Sequence, residues 1–320
     1  MLDAICRIGD IGILPVLGIE KKELAEPLAK ALMDGGVSVM EITLRSEDAL
    51  DAIGLIKRRW PHMAVGAGTV LTTAQADAAA AQGADYIVTP GFDQAIVAHC
   101  LKKEIPVIPG CVTATEVGQG LQMGLTILKY FPAQQMGGLP AIKLLAGPYP
   151  GARFIPTGGI TFENLGNYMS SNNIFACGGS YMAKTDLIRE ENWEEITRCC
   201  RNAVDISLGF SLAHIGINHA SPEEALQTAG FFCRAFRLPV AQGSSSVFAG
   251  RDVECMKSSH YGTKGHLGFY TNSTRRALAY LANAGFSVRK DSIRHTKHND
   301  VSSAYLREEV AGFAVHIMQK

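Results

Sequence analysis

No apolar run in this chain approaches the roughly 20 residues that a helix needs to cross a bilayer, which excludes a helical membrane span. Charge of one sign is lacking too. Thirty Lys and Arg balance thirty Asp and Glu, for a formal net charge of zero. With no global field, neither nucleic acid nor an acidic membrane surface is recruited by bulk electrostatics. The opening residues Met1 to Arg7 lack a basic region ahead of an apolar signal core, so the expected location is the cytoplasm. The eight cysteines include no CxxC pair, and the adjacent Cys199 and Cys200 suit no zinc site. They read as reduced, mostly buried thiols. No GxGxxG follows the first apolar run, which disfavours an open doubly wound sheet built for dinucleotides.

What is present is a chain of 320 residues with 47 % hydrophobic and 19 % charged residues, enough for a barrel and a smaller partner domain. From Gly12 to about Ser207, short apolar runs alternate with longer amphipathic ones. The candidate strands are Ile13–Gly18, Val37–Thr43, Ala64–Gly68, Tyr86–Thr89, Pro106–Pro109, Leu125–Tyr130, Arg153–Thr157 and Ile174–Cys177. Helical patterns such as Glu23–Asp34, Glu47–Arg59, Thr73–Gln82 and Gln94–Lys103 lie between them, and Gly35-Gly36 and Gly83 supply stop signals. Strand starts recur about every 20 to 30 residues, one βα unit each, and the strands read as continuous apolar runs. Eight such units predict an α/β fold, a closed (β/α)8 TIM barrel.

In such a barrel, polar residues at the carboxyl ends of strands face the catalytic mouth. The sixth candidate strand carries Lys129 inside Ile127-Leu128-Lys129-Tyr130-Phe131-Pro132-Ala133. A buried ammonium is costly, so desolvation favours the free amine, which is how nucleophilic lysines arise. Other strand ends contribute Glu41 and Arg45, Thr69, Pro90, the Thr157-Gly158-Gly159 turn and Ser180. Taken singly, each is as well explained by turn glycines, helix caps or an exposed ion pair. Two other lysines compete less well: Lys143 falls on a helical stretch, and Lys184 follows the eighth strand as a solvated or rim residue.

Five motifs then occur in order: Glu41-Ile42-Thr43-Leu44-Arg45, Gly66-Ala67-Gly68-Thr69-Val70, Lys129-Tyr130-Phe131-Pro132-Ala133, Pro156-Thr157-Gly158-Gly159-Ile160 and Gly178-Gly179-Ser180. Over residues 10 to 207 the chain resembles the 2-keto-3-deoxy-6-phosphogluconate / 4-hydroxy-2-oxoglutarate (KDPG/KHG) aldolases. The resemblance implies a class I, metal-free lyase acting on a small 2-keto acid, releasing pyruvate and either glyceraldehyde 3-phosphate or glyoxylate. It implies Lys129 as the Schiff-base lysine and Glu41 as the general acid/base. Thr69 and Thr157 would hold the pyruvate-derived part, with Pro90 also among the substrate-binding residues. Arg45, Gly158, Gly159 and Ser180 would take the distal phosphate or carboxylate, and the family is typically trimeric. Gln134 departs from the glutamate often found there. Rival readings of the barrel are a phosphosugar-acid sensor and a phosphosugar isomerase or epimerase. A sensor needs no nucleophilic lysine, and an isomerase needs His or Asp at several strand ends.

The barrel rhythm stops after the helical stretch Trp193–Asp205, which places a boundary between residues 207 and 208. Beyond it the pattern appears twice. The first unit reads as strand Phe210–Asn218, helix Pro222–Phe236 and strands Val240–Gln242, Ser246–Ala249 and Asp252–Met256. The second reads as strand Gly265–Thr271, helix Ser273–Ala284 and strands Ser287–Arg294, Ser302–Arg307 and Gly312–Met318. Two βαβββ units are an internal repeat. His214 and His266 begin the two units, and Glu254 and His316 fall in their last strands. This resembles the vicinal-oxygen-chelate (glyoxalase-like) superfamily, which implies one divalent metal held by His214, Glu254, His266 and His316. Histidine stands at the fourth position, where glutamate is common. Three imidazoles and a carboxylate suit zinc, nickel, iron(II), cobalt or manganese. The alternative is a metal-free oligomerisation or ligand-binding module. His295 and His298 are expected in a polar hairpin loop.

Overall fold

A computed structural model describes residues 2–296 and 300–320. The chain divides into two compact units, Met1–Ser207 and Leu208–Lys320.

In the first unit the strands are β1 (Ile13–Leu17), β2 (Val39–Thr43), β3 (Ala64–Gly68), β4 (Tyr86–Val88), β5 (Val107–Ile108), β6 (Ile127–Tyr130), β7 (Arg153–Pro156) and β8 (Cys177–Gly179). They are parallel, and six form a half-barrel sheet in the order β5-β4-β3-β2-β1-β8, with β6 and β7 paired separately. Backbone bonds join the two sheets at both edges. Lys129 N donates to Pro109 O at 2.9 Å and Cys111 N donates to Lys129 O at 2.8 Å, while Phe175 N donates to Phe154 O at 2.8 Å. A further bridge links Thr157 and Gly178. Helices between the strands start where short polar side chains can cap them. Thr72, Asp93 and Thr113 each accept from a backbone N–H three residues on.

The strands are near to expectation, with two exceptions. The last strand lies at Cys177–Gly179 rather than Ile174–Cys177, because Ile174 is used in a bridge to Phe154 and Cys177 is the first residue to pair with Ile13. The helix Leu2–Ile11 falls outside the expected pattern, which began at Gly12. It packs against β1, β2 and β3, and Ile8 is fully buried.

The second unit is mostly sheet. Its strands are β9 (Ser211–Asn218), β10 (Val240–Gln242), β11 (Ser246–Ala249), β12 (Val253–Met256), β13 (Gly265–Thr271), β14 (Arg294–His295), β15 (Val301–Val310) and β16 (Phe313–Gln319). One helix, Pro222–Phe236, follows β9 and another, Thr274–Asn283, follows β13. The strand order β10-β11-β12-β9-β13-β16-β15-β14 is the same outward from the middle on both sides. β9 and β13 meet antiparallel at the centre, and each pairs in parallel with the last strand of its own half. Ala225 and Ala229 of the first helix pack on Val247, Ala249 and Cys255, leaving the opposite sheet face for Glu254 and Phe248.

The expected strand Ser287–Arg294 does not form. Val288 makes one bridge to Leu306, a 3-10 turn occupies Lys290–Ser292, and only Arg294–His295 is strand. Ser292 is the reason: its hydroxyl donates to Arg289 O and accepts from Tyr305 N, replacing the regular ladder. His295 therefore sits in β14 and not in a hairpin loop, while His298 lies outside the described residues.

Candidate functional site

Period-two alternation on β6 sends Leu128 towards the helix Ala114–Gln122, where it abuts Gly120, and Lys129 to the other side. The Lys129 backbone is paired on both sides, to Pro109 and Cys111 on one and to the β7 register position Ile155 on the other. Its side chain is thus aimed by a fixed frame. Nζ reaches Glu41 Oε1 at 3.2 Å and Oε2 at 3.4 Å, bringing together residues 88 apart in sequence. Both are sealed from solvent, with side-chain exposures of 7 % for Lys129 and 1 % for Glu41. Glu41 is confined further by Gly68, where a Cβ would lie 2.2 Å from Oε1.

A cavity of about 490 Å³ opens beside this pair. Arg45, Thr157, Gly158, Gly159 and Ser180 all line it. Gly158 and Gly159 have φ of +95° and +77°, which exposes the backbone of this turn at little steric cost. Gln134 holds the turn: its N–H donates to Gly158 O at 3.1 Å, and its side chain fills the space where a Gly159 Cβ would stand. Tyr168 donates to Gln134 Oε1 at 3.1 Å. Thr69 and Pro90, half-buried past the ends of β3 and β4, stand outside the lining of this cavity, as do Lys129 and Glu41 themselves. The link between pair and cavity is Phe131, which lines the cavity and has its ring centre 5.5 Å from Lys129 Nζ. Lys143 and Lys184 are exposed.

Three further polar lining residues were not expected as site residues: Thr43, Ser46 and Glu20. Thr43 lies two positions beyond Glu41 on β2, so the strand period could have found it. Ser46 donates to Ile19 O, and Glu20 is gripped by Arg189, 169 residues away, so only tertiary structure places them.

The second unit gathers a different set. His214 Nε2 lies 3.0 Å from His266 Nε2 and 3.2 Å from His316 Nε2. Glu254 Oε2 is 3.1 Å from His266 Nε2 and 3.3 Å from His214 Nε2. The three imidazoles are buried and can each turn a ring nitrogen to a common point. Burial, with the neighbouring imidazoles, drives His316 down to about 3, and burial lowers His214. Burial pushes the Glu254 carboxyl up, but hydrogen bonds from His266 and Ser246 outweigh it and leave the group below its usual range. Burial therefore favours the neutral form at His214 and His316, next to the Glu254 carboxylate. His266 Nδ1, on the far side of its ring, is buried without a hydrogen-bond partner.

The repeat explains the convergence. His214-Ile215-Gly216 on β9 and His266-Leu267-Gly268 on β13 run antiparallel, so each histidine sits opposite the other strand's glycine. A Cβ on Gly216 would lie 2.1 Å from the His266 ring, and one on Gly268 would lie 2.7 Å from both His214 and His316. The His-x-Gly spacing, present twice, is a sequence signal that the reading of histidines alone passes over.

Parallel strands bearing a buried amine and carboxylate beside an anion-ready cavity define an α/β lyase of the aldolase kind. The family model described as "KDPG and KHG aldolase" matches residues 2–199. The chain is 41 % identical over 196 residues to the 2-dehydro-3-deoxy-phosphogluconate aldolase of Treponema pallidum, covering 61 % of this chain and 93 % of that one. It is 39 % identical over 193 residues to the KHG/KDPG aldolase of Escherichia coli, covering 60 % and 91 %. Among solved structures, KDPG aldolase from Legionella pneumophila, with pyruvate captured as a covalent carbinolamine intermediate, superimposes with a TM-score of 0.61 at 36 % identity. That match covers 62 % of this chain and 97 % of the other. The chain belongs to the KDPG and KHG aldolase family, and it is a lyase.

Gly268→Ala should force the His214 and His316 rings apart and destabilise the second unit by about 1–3 kcal/mol, as overpacking does. Urea unfolding followed by a probe in that unit measures it, and an unchanged midpoint would show that the rings are free to move.

Proposed function

We propose that residues 1–207 form a closed (β/α)8 aldolase domain that cleaves 2-keto-3-deoxy-6-phosphogluconate or 4-hydroxy-2-oxoglutarate through a Schiff base on Lys129. The observation that carries this reading is the buried Lys129 amine held 3.2 Å from Glu41. The amine attacks the C2 carbonyl, Glu41 moves protons at the carbinolamine, and loss of water leaves an iminium. Glu41 then takes the C4 hydroxyl proton, directly or through one water. The C3–C4 bond breaks, its electron pair passes into the enamine, and the aldehyde departs. Protonation at C3 and hydrolysis release pyruvate and restore the amine, so the step needs no metal. Thr157, and Thr69 at the strand end beyond Glu41, are assigned to the pyruvate-derived carboxylate, with Pro90 shaping that end. Arg45, Ser180 and the Gly158-Gly159 backbone, which line one cavity, are assigned to the distal anion. Arg45, Ser180 and the turn backbone, exposed or half-exposed around the same cavity, favour a phosphate there. A homotrimer acting on this small-molecule substrate, in the cytoplasm, completes the assignment by family resemblance.

For residues 208–320 we infer a glyoxalase-like domain of two βαβββ modules with one divalent ion at His214, Glu254, His266 and His316. Four donors on a tetrahedral ion with bonds of 2.0–2.2 Å stand about 3.3 Å apart. The His214 Nε2 atom stands 3.0 and 3.2 Å from the other two imidazole nitrogens, and the three histidines can share one point, while Glu254 Oε2 stands 3.1 and 3.3 Å from His266 and His214 and would add a carboxylate on that side. Held by the three histidines with one position open, such an ion would supply Lewis-acid polarisation of a bound oxygen; with Glu254 also bound, the tetrahedral site would be closed and structural. The protein residues fix its position and exclude bulk water.

Three measurements test these assignments. Lys129→Ala should abolish trapping of pyruvate by borohydride, and a covalent adduct surviving in that variant would move the Schiff base elsewhere. Because removing the lysine strands Glu41, Glu41→Gln serves as a companion, with adduct formation slowed while the amine remains. Arg45→Ala should raise KM for a phosphorylated substrate by about tenfold or more, with a much smaller change for an unphosphorylated one. Equal changes for the two would remove Arg45 from the phosphate. The full chain should carry one equivalent of divalent metal per protomer by elemental analysis, and His214→Ala should lose it; metal-free parent protein after zinc loading would exclude the site.

A further inference from the structure

His316 is the one cluster imidazole whose face is covered by another ring. Tyr305 lies directly opposite it across the β15–β16 ladder, and the two rings stack at 4.6 Å with an angle of 11°. Tyr305 is itself firmly seated. Its N–H donates to Ser292 Oγ at 2.9 Å and its carbonyl accepts from Arg289 N at 2.9 Å. The Tyr261 ring packs against it at 4.7 Å. Tyr261 in turn donates to Asp291 Oδ2 at 2.9 Å and lies under the Arg289 guanidinium at 5.0 Å. A chain of ring contacts, stacked at His316 and tilted by 53° between Tyr305 and Tyr261, thus runs from the cluster imidazole to the 289–294 segment.

The stacked contact matters because the torsion that turns an imidazole about its Cβ–Cγ bond has a broad, shallow profile. A histidine ring with no flat neighbour samples many orientations, and its Nε2 swings off any fixed point. His266 lies against Gly216, and Gly268 lies against both His214 and the Nε2 edge of His316. For His316 the corresponding flat surface is supplied on one side by Tyr305. We propose that Tyr305 is the positioning residue for His316, setting the plane of that imidazole so that its Nε2 reaches the point shared with His214 and His266. The inference rests on the metal reading given above. It assigns the role to the ring of Tyr305 rather than to its hydroxyl, and it explains why Ser292 displaces the regular ladder beside it.

The test uses the full-length chain, stripped of metal by a chelator and titrated with cobalt(II) and zinc(II) against a chromophoric competitor. Circular dichroism matching the parent marks each variant as folded. Tyr305→Phe keeps the flat face and should bind cobalt within about twofold of the parent. Tyr305→Leu fills the space without a flat face and should weaken cobalt binding about 10- to 100-fold. Its visible d–d bands should shift towards those of His316→Ala. The combined Tyr305→Leu/His316→Ala variant should bind no more weakly than His316→Ala alone, because the tyrosine acts only through that ring. Parent-like affinity and spectrum in Tyr305→Leu would overturn the proposal. So would additive losses in the combined variant, or a loss in Tyr305→Phe as large as in Tyr305→Leu. A parent chain that takes up no cobalt would sink the metal reading and this inference with it, whereas the other failures remove the stacking role alone.

Discussion

A lysine ammonium and a glutamate carboxylate, both shut away from water, depend on each other in the first unit. Either one buried alone would carry an uncompensated charge at a cost of several kcal/mol. They come from β2 and β6, which are not neighbours in the sheet, so they meet only if every intervening strand holds register. The frame around Lys129 answers that demand with backbone bonds to both flanking strands. Gly68 answers it at Glu41, since any side chain there would collide with the carboxylate. The same closeness that makes the pair demanding also makes it useful, because a carboxylate beside the lysine nitrogen can move a proton to or from it.

The second unit solves a different electrostatic problem. Its polar centre sets Glu254 against imidazoles, two of which, His214 and His316, burial drives toward the neutral form. The ring nitrogens crowd to 3.0–3.2 Å around His214, where the first unit instead presents an ion pair. The symmetry of the sheet does the gathering. Two copies of one strand pattern, meeting antiparallel at the centre, bring two histidines together edge to face over two glycines.

Much of this was legible in the sequence, and the limits follow from the range of the interactions concerned. Strand positions in the first unit followed from apolar runs, because a strand buried on both faces must be apolar at nearly every position. Lys129 stood out for the same reason. The extent of the strands was harder to read: the eighth lies three residues beyond its expected start, because pairing to β1 and not hydrophobicity decides where it begins. Ser287–Arg294 reads as a strand from its composition, yet a single serine hydroxyl diverts the backbone into a turn. Glu20 became a cavity residue through Arg189, a partner 169 residues away that no local pattern can announce.

By itself, then, the sequence determined the kinds of chemistry available and their spacing along the chain: one lysine inside a buried run, a glutamate and an arginine four residues apart at a strand end, and histidines at matching places in a repeat. These follow from composition and period, which are local. Tertiary structure alone decided which groups touch. It set Lys129 against Glu41, put Arg45 and Ser180 around one cavity, and laid Tyr305 flat on His316. Those contacts depend on strand order and register across the sheets, which arise from packing the whole unit at once and leave no trace in any short stretch of residues.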